Sequence, residues 1–235
     1  MLEAMIQGEE DPEVLSDLAI GRMKAKKADL QKALNGLMGP HQRMMLAAQL
    51  RHIDYLNEEI LRLDEEVKER MLPFEEDLDL VDSIPGVARR TAEQILAEIG
   101  TDMGQFPSAA HLCSWAGLAP GNNESAGKRK SGKTRKGNQK LRAALVEAAR
   151  AAATTKNTYL SSQYHRIAAR RGSKRAAVAV AHSILSIVYH VLKRRRQYIE
   201  LGPSYYEERR KDAVVRQAIR RLEALGVEVT VKPVA

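Results

Sequence analysis

Between residues 41 and 71, Leu46, Leu50, Ile53, Leu56, Ile60, Leu63 and Val67 recur at spacings of 4, 3, 3, 4, 3 and 4. This near-heptad seam, with one irregular step, commits the segment to one long helix with a narrow apolar stripe. Glu58, Glu59, Arg62, Asp64, Glu65, Glu66 and Lys68 charge its outer face. Such a stripe needs a partner laid along it. The stretch 12–38 offers one: Pro12 suits a first-turn position, and Leu15, Leu18, Leu30, Leu34 and Leu37 supply apolar positions. Gly39-Pro40 predicts a tight turn between the two. The expectation is a long antiparallel helical hairpin, or coiled coil, over residues 1–75. Its stripe is covered either by its own domain or by a second copy, giving a homodimer or tetramer.

Charge is sharply divided beyond this arm. Residues 1–119 carry 12 Lys+Arg and 22 Asp+Glu, whereas 120–196 carry 19 Lys+Arg and only two acids, Glu124 and Glu147. A net +17 over that stretch predicts a surface for a polyanion, DNA or RNA. Aromatics make up only 4% of the chain and Ala, Leu, Arg and Glu abound, so the expected class is all-α, mostly, with a compact helical domain over 76–235. No run of about 18 apolar residues predicts a membrane span. Cys113, the one cysteine, excludes an internal disulfide and a thiolate metal cluster, so no metal site is expected and a cytoplasmic location fits.

Pro73 begins the second part. Apolar spacing at Ile84, Val87, Ala92, Ile95, Leu96 and Ile99 around Pro85-Gly86-Val87 predicts helix, turn, helix over 78–100. This element resembles the helix-hairpin-helix DNA-binding motif. That likeness makes Gly86, Arg89 and Arg90 candidates for phosphate contact, although two cations suit a helix start poorly. Ser108 is a reasonable cap for a helix over 109–118, with Trp115 read as core. Residues 119–138 are rich in turn formers and lack hydrophobic periodicity, which predicts a loop. Helices resume at 139–156, 158–171, 174–197 and 204–225, with Ala176 to Leu192 as a central buried helix and 227–231 as a lone strand.

The loop carries the candidate chemistry. Ser125 is followed by the small pair Ala126-Gly127, then by Lys128, Arg129, Lys130, Lys133, Arg135 and Lys136, with Lys140 and Arg142 on the next helix. Phosphoryl transfer spreads negative charge over oxygen atoms that fixed cations stabilise, and a serine needs such a field to act as a nucleophile. On chemistry alone, a phosphate-binding or structural serine remains the open alternative. Ser114 and Ser131 rank lower, and Tyr159 and Tyr164 read as surface or packing residues. His182 and His190, eight apart on an apolar helix, read as core histidines or phosphate donors, not zinc ligands.

The ordered runs Ser83-Ile84-Pro85-Gly86-Val87, Phe106-Pro107-Ser108, Trp115-Ala116-Gly117-Leu118-Ala119-Pro120, Ser125-Ala126-Gly127-Lys128 and Arg135-Lys136-Gly137-Asn138 resemble the C-terminal transposase domain of the insertion sequence one-ten family. The arm at 12–71 resembles that family's coiled-coil connector. The resemblance implies a DNA transposase or recombinase whose catalytic serine maps onto Ser125 and forms a covalent phosphoserine link to DNA. It implies a structured guide (bridge) RNA as a second partner. It also implies a RuvC-like acidic domain holding Mg²⁺, whose four acids have no counterpart in these residues. The chain alone is therefore expected not to cleave DNA. Many members carry a second serine before the nucleophile and a glycine after it, where this chain has Glu124 and Ala126. The rival expectation is a non-catalytic helix-hairpin-helix nucleic-acid-binding adaptor.

Overall fold

Gly39 and Pro40 start a helix that runs unbroken for 32 residues, because Pro40 takes the first helical position and no further proline or glycine follows before Met71. In this computed structural model residues 1–36, 38–121, 123–209 and 211–226 are described, and the chain divides into two units, Met1–Leu72 and Pro73–Ala235.

The first unit contains α1 (Leu2–Ile6), α2 (Pro12–Asp17), a 3₁₀ segment (Gly21–Lys26), α3 (Lys27–Leu34) and α4 (Pro40–Met71). Asp11 caps α2 by accepting from the Glu13 amide at 2.8 Å. The continuous helix expected over 12–38 is corrected here. Helix α2 closes at Asp17, and Gly21 adopts φ +59°, a left-handed conformation that a right-handed helix cannot pass through. Leu37 lies outside the described residues. The broken pieces pack locally, α2 on α3 and α1 on α4, with Arg43 of α4 paired to Glu10. No second long helix runs beside α4 among the described residues, so the expected antiparallel hairpin is not formed. Ile53, Leu56, Ile60, Leu63 and Val67 are consequently 41–62% exposed along one seam.

The second unit contains α5 (Glu75–Asp82), α6 (Arg89–Ile99), α7 (Ala109–Trp115), β1 (Asn123–Ser125), β2 (Lys128–Ser131), α8 (Gln139–Thr154), α9 (Tyr159–Arg171), α10 (Ser173–Arg194), α11 (Tyr205–Glu208) and α12 (Lys211–Glu223). The class is mostly all-α, as expected. Helix α10 is the axis of the core and packs against α5, α7, α8 and α9. Its Ala176, Val180, Ala181, Ile184, Leu185 and Val188 are fully buried. Helix α10 is long and apolar enough to cross a membrane, but 56% of its apolar window is buried inside the protein, which makes it a core helix. Side-chain caps fix three helix starts: Ser108 before α7, Asn138 before α8 and Thr158 before α9. After α10, Arg195 turns the chain at φ +53° and pairs with Asp77 and Glu76 of α5. Tyr159, Tyr205 and Tyr206 then cluster, with the Arg166 guanidinium 3.6 Å over the Tyr206 ring. The strand expected at 227–231 lies outside the described residues.

Helices α5 and α6 form the expected pair around Ser83–Ala88, closed by the Val87 amide on the Ile84 carbonyl at 2.9 Å. Gly86 has a packing role. Its φ is +86°, and a Cβ there would fall 2.4 Å from the Ala152 nitrogen and 2.5 Å from the Ala148 oxygen of α8. The glycine, itself half-buried, allows one backbone to rest on another at α8. Gly86→Ala combines backbone overlap with a left-handed φ, and should lower the unfolding free energy by about 2 kcal/mol or more. Urea denaturation measures this; a midpoint equal to the wild type's would refute the packing account.

Candidate functional site

The stretch expected as an irregular loop folds instead as a two-stranded antiparallel hairpin. Asn123 registers with Ser131, Glu124 with Arg129 and Ser125 with Lys128, with an irregularity between Asn123 and Glu124. Two residues, Ala126 and Gly127, make the turn at φ +50° and +72°. Positive φ at both central positions is what a type I′ hairpin turn requires, because its twist matches that of the strands. The pattern was missed because only Gly127, not Ala126, announces such a turn. Ser125 therefore ends β1 exposed, directly opposite Lys128. Opposed residues in an antiparallel pair project from the same face with Cβ atoms about 4.5–5.5 Å apart. The first cation of the basic run thus shares a face with the serine hydroxyl.

The base of the hairpin is clamped. A Cβ on Gly137 would fall 2.3 Å from the Gly117 nitrogen, so the two glycines press backbone to backbone. Pro120 bridges Thr134, and the Gly121 amide donates to the Lys133 carbonyl at 2.9 Å. Arg142 of α8 donates to the Gly117 carbonyl at 3.0 Å and the Thr134 hydroxyl at 2.8 Å. Asn138 caps α8 through the Leu141 amide and donates to Glu98 of α6 at 2.5 Å.

The predicted phosphate-binding residues separate into two groups. Lys128, Lys133, Arg135, Lys136 and Lys140 are exposed on or beside the hairpin. Arg129 and Lys130 lie in β2, where their backbone alone is described. Arg142 is instead held by the hairpin's own base. Arg89 is also occupied: it forks onto Glu75 at 2.5 and 2.6 Å and reaches Glu93 at 3.0 Å. The bond to Glu75, then that to Glu93, raises its already high pKa further. Arg90 is exposed at the start of α6, while Glu98, the contact with the hairpin base, is eight residues along. At 1.5 Å per residue the two points are about 12 Å apart on the helix axis.

Other candidates are placed as follows. Ser114 is exposed on α7, and the Ser131 hydroxyl accepts from the Lys133 amide at 3.2 Å. Tyr159 sits in the aromatic cluster and accepts from Tyr206 at 2.8 Å. Trp115, expected in the core, is 45% exposed and tilted against Phe106 at 5.9 Å. Helix α7 turns Leu112 and Cys113 inward, which leaves Trp115 on its outer side. Burial raises the Cys113 thiol pKa, against the opposing bond with Ser186, and disfavours thiolate chemistry. Burial lowers the pKa of His182. Among the described residues no three His, Cys, Asp or Glu side chains stand together as a metal site.

Sequence reasoning did not find the cleft beside the hairpin. It has a volume of about 1260 Å³ and runs between Ser131–Thr134 and helices α9 and α10. Arg171, Lys174 and Arg175 line it together with Lys133 and Arg142. The charge count included these residues, but only the α9–α10 junction at Gly172 brings them to the hairpin.

Residues 78–166, which run from within α5 through the hairpin to within α9, match the family described as "Transposase IS116/IS110/IS902 family". That match covers less than half of the chain. The chain is 35% identical over 127 residues to the transposase for insertion sequence element IS1111A of Coxiella burnetii (strain RSA 493 / Nine Mile phase I), covering 52% of this chain and 35% of that protein. It is 36% identical over 116 residues to an insertion element IS110 uncharacterized 43.6 kDa protein of Streptomyces coelicolor (strain ATCC BAA-471 / A3(2) / M145), covering 47% of this chain and 27% of that protein. It is 30% identical over 122 residues to the pilin gene-inverting protein of Moraxella bovis, covering 51% and 38%. The matched region spans between about a quarter and two fifths of the length of these relatives.

Alanine at left-handed φ is strained by roughly 1 kcal/mol relative to glycine. Ala126→Gly is expected to slow amide hydrogen exchange across β1 and β2 about fivefold. Faster exchange in that variant would mean that the turn is not the one described.

Proposed function

We propose that the chain is the serine-bearing part of a DNA transposase or site-specific recombinase. Ser125 is its nucleophile, and a covalent phosphoserine–DNA link is its intermediate. The observation that carries this reading is the exposed Ser125 hydroxyl at a two-residue turn, facing the same way as Lys128, on a hairpin clamped at its base. A nucleophile must meet phosphorus in line, and a clamped two-residue turn limits where the hydroxyl goes. Lys128, Lys133, Arg135 and Lys136 supply positive charge for the non-bridging oxygens, where transition-state charge develops. In the step, the Ser125 Oγ–H bond breaks and an Oγ–P bond forms. One P–O bond of the backbone breaks, and the departing deoxyribose oxygen keeps the electron pair and takes up a proton.

The transposase-family match and the pilin gene-inverting relative support DNA strand exchange as the class of reaction. A guide RNA and a Mg²⁺-holding acidic domain follow from the resemblance alone. The described residues do not fit a resident metal ion, since no three His, Cys, Asp or Glu side chains stand together among them. The exposed seam of α4 is proposed to pair with a second copy, because five apolar residues at heptad-like spacing would otherwise face water.

Three measurements test this reading. With the acidic domain, the element's RNA and its DNA supplied, Ser125→Ala should abolish the covalent protein–DNA adduct seen on denaturing gels, and an adduct of unchanged yield removes Ser125 from the role. DNA affinity should fall with salt by about 0.9 log units per log unit for each phosphate neutralised, with Lys128→Ala lowering the slope by about one; a salt-independent affinity contradicts the docking surface. Leu56→Asp with Ile60→Asp should convert a dimer to a monomer in sedimentation, whereas a wild-type chain already monomeric at micromolar concentration rules the arm out as an interface.

A further inference from the structure

We infer that the cleft between the hairpin base and helices α9 and α10 seats an unpaired nucleotide, with its base inside and its phosphates on the rim. The inference rests on the reading that the hairpin binds nucleic acid and adds a second site to it. The cleft is built in two layers. Its rim holds Lys133 on the hairpin and Arg171, Lys174 and Arg175 at the α9–α10 junction, all exposed. Among the described residues no acidic side chain lines it. Its interior is different: Leu118, Ile167, Val178 and Ala179 give apolar surface, and Gln163, His182 and Ser183 give hydrogen-bonding groups.

A smooth duplex backbone would use the rim and leave the interior empty. A planar heterocycle uses both kinds of interior surface, apolar side chains against its faces and polar groups along its edge, as in sites that receive extruded bases. The volume of about 1260 Å³ exceeds the several hundred Å³ typical of small-ligand pockets, which leaves room for a nucleotide with its flanking phosphates. The polar floor is also incompletely satisfied within the protein. Gln163 donates to the Ser183 hydroxyl at 2.9 Å, while its Oε1 is buried with no partner. Turning that amide toward the cleft would give Oε1 a base N–H to accept. Burial keeps His182 neutral near pH 7, so its ring offers one donor and one acceptor. The position suits the chemistry. Ser131 to Thr134 line the cleft and continue from the strand that begins at Lys128, opposite Ser125. A strand passing the serine would therefore meet the cleft a few nucleotides on.

The test uses the full chain and three fluorescent probes of equal length: a single strand, the same strand with abasic sites throughout, and the duplex. The wild type should bind the base-bearing strand about tenfold more tightly than the abasic strand, although both carry the same charge. Val178→Trp, which fills the cleft, should erase that difference while leaving abasic affinity unchanged. Gln163→Leu, which keeps the side-chain bulk and removes the unsatisfied amide, should reduce the preference if the tryptophan variant fails to fold. Equal affinity of the wild type for base-bearing and abasic strands overturns the cleft proposal and leaves the hairpin reading intact. A preference that survives both substitutions also overturns it. No binding to any probe overturns both.

Discussion

The contact on which the site depends is the one between Gly117 and Gly137, where two backbones meet without side chains. A sequence of lysines, arginines and glycines has little apolar surface with which to hold itself in place. Burial cannot order such a segment, so its ends must be fixed. The two glycines bring the entering and leaving chains together, and Arg142, Asn138 and the Pro120–Thr134 bridge hold that junction to α8 and α6. The hairpin then becomes a short lever on the helical core, not a free loop.

The same logic explains why the helices were readable and the site was not. Helix α10 was legible because Ala176 to Leu192 is apolar over several turns, and α6 because Ala92, Ile95, Leu96 and Ile99 follow a helical period. Each pattern reflects burial, which sequence records directly. The hairpin strands record none, since Asn123 to Ser125 and Lys128 to Ser131 are polar on both faces. Their pairing comes from the turn, and one turn residue is an alanine in a conformation that alanine seldom adopts. The broken first arm failed for a related reason. Its leucines keep a helical period while Gly21 at φ +59° does not permit one helix, and a single backbone angle outweighs several apolar positions.

Counting charges located the basic region but could not assign each cation a task. Arg142 was grouped with Lys128 and Lys136 by proximity in sequence, and Arg89 through the helix-hairpin-helix likeness. The fold gives the two arginines to carboxylates, a carbonyl and a hydroxyl, and leaves the two lysines in solvent. The division follows side-chain chemistry. A planar guanidinium with five donors can bridge fixed oxygen atoms, as Arg142 bridges Gly117 and Thr134, whereas an ammonium on a flexible stem suits a partner that arrives and leaves. Net charge of +17 therefore overstates what meets a polyanion, because part of it holds the protein together.

The departure at position 126 can be understood from the same geometry. The resemblance calls for glycine directly after the serine, and the hairpin shows why: the residue following Ser125 must take φ near +50° to bring Lys128 back opposite it. Alanine meets that demand at a cost in backbone strain, and its methyl group is small enough to stand at an exposed turn without overlap. A β-branched residue would not, since it resists left-handed φ more strongly. The departure consequently costs the turn stability through backbone strain at Ala126. The serine hydroxyl stays on the face it shares with Lys128, which is the one arrangement that the proposed chemistry requires of this chain.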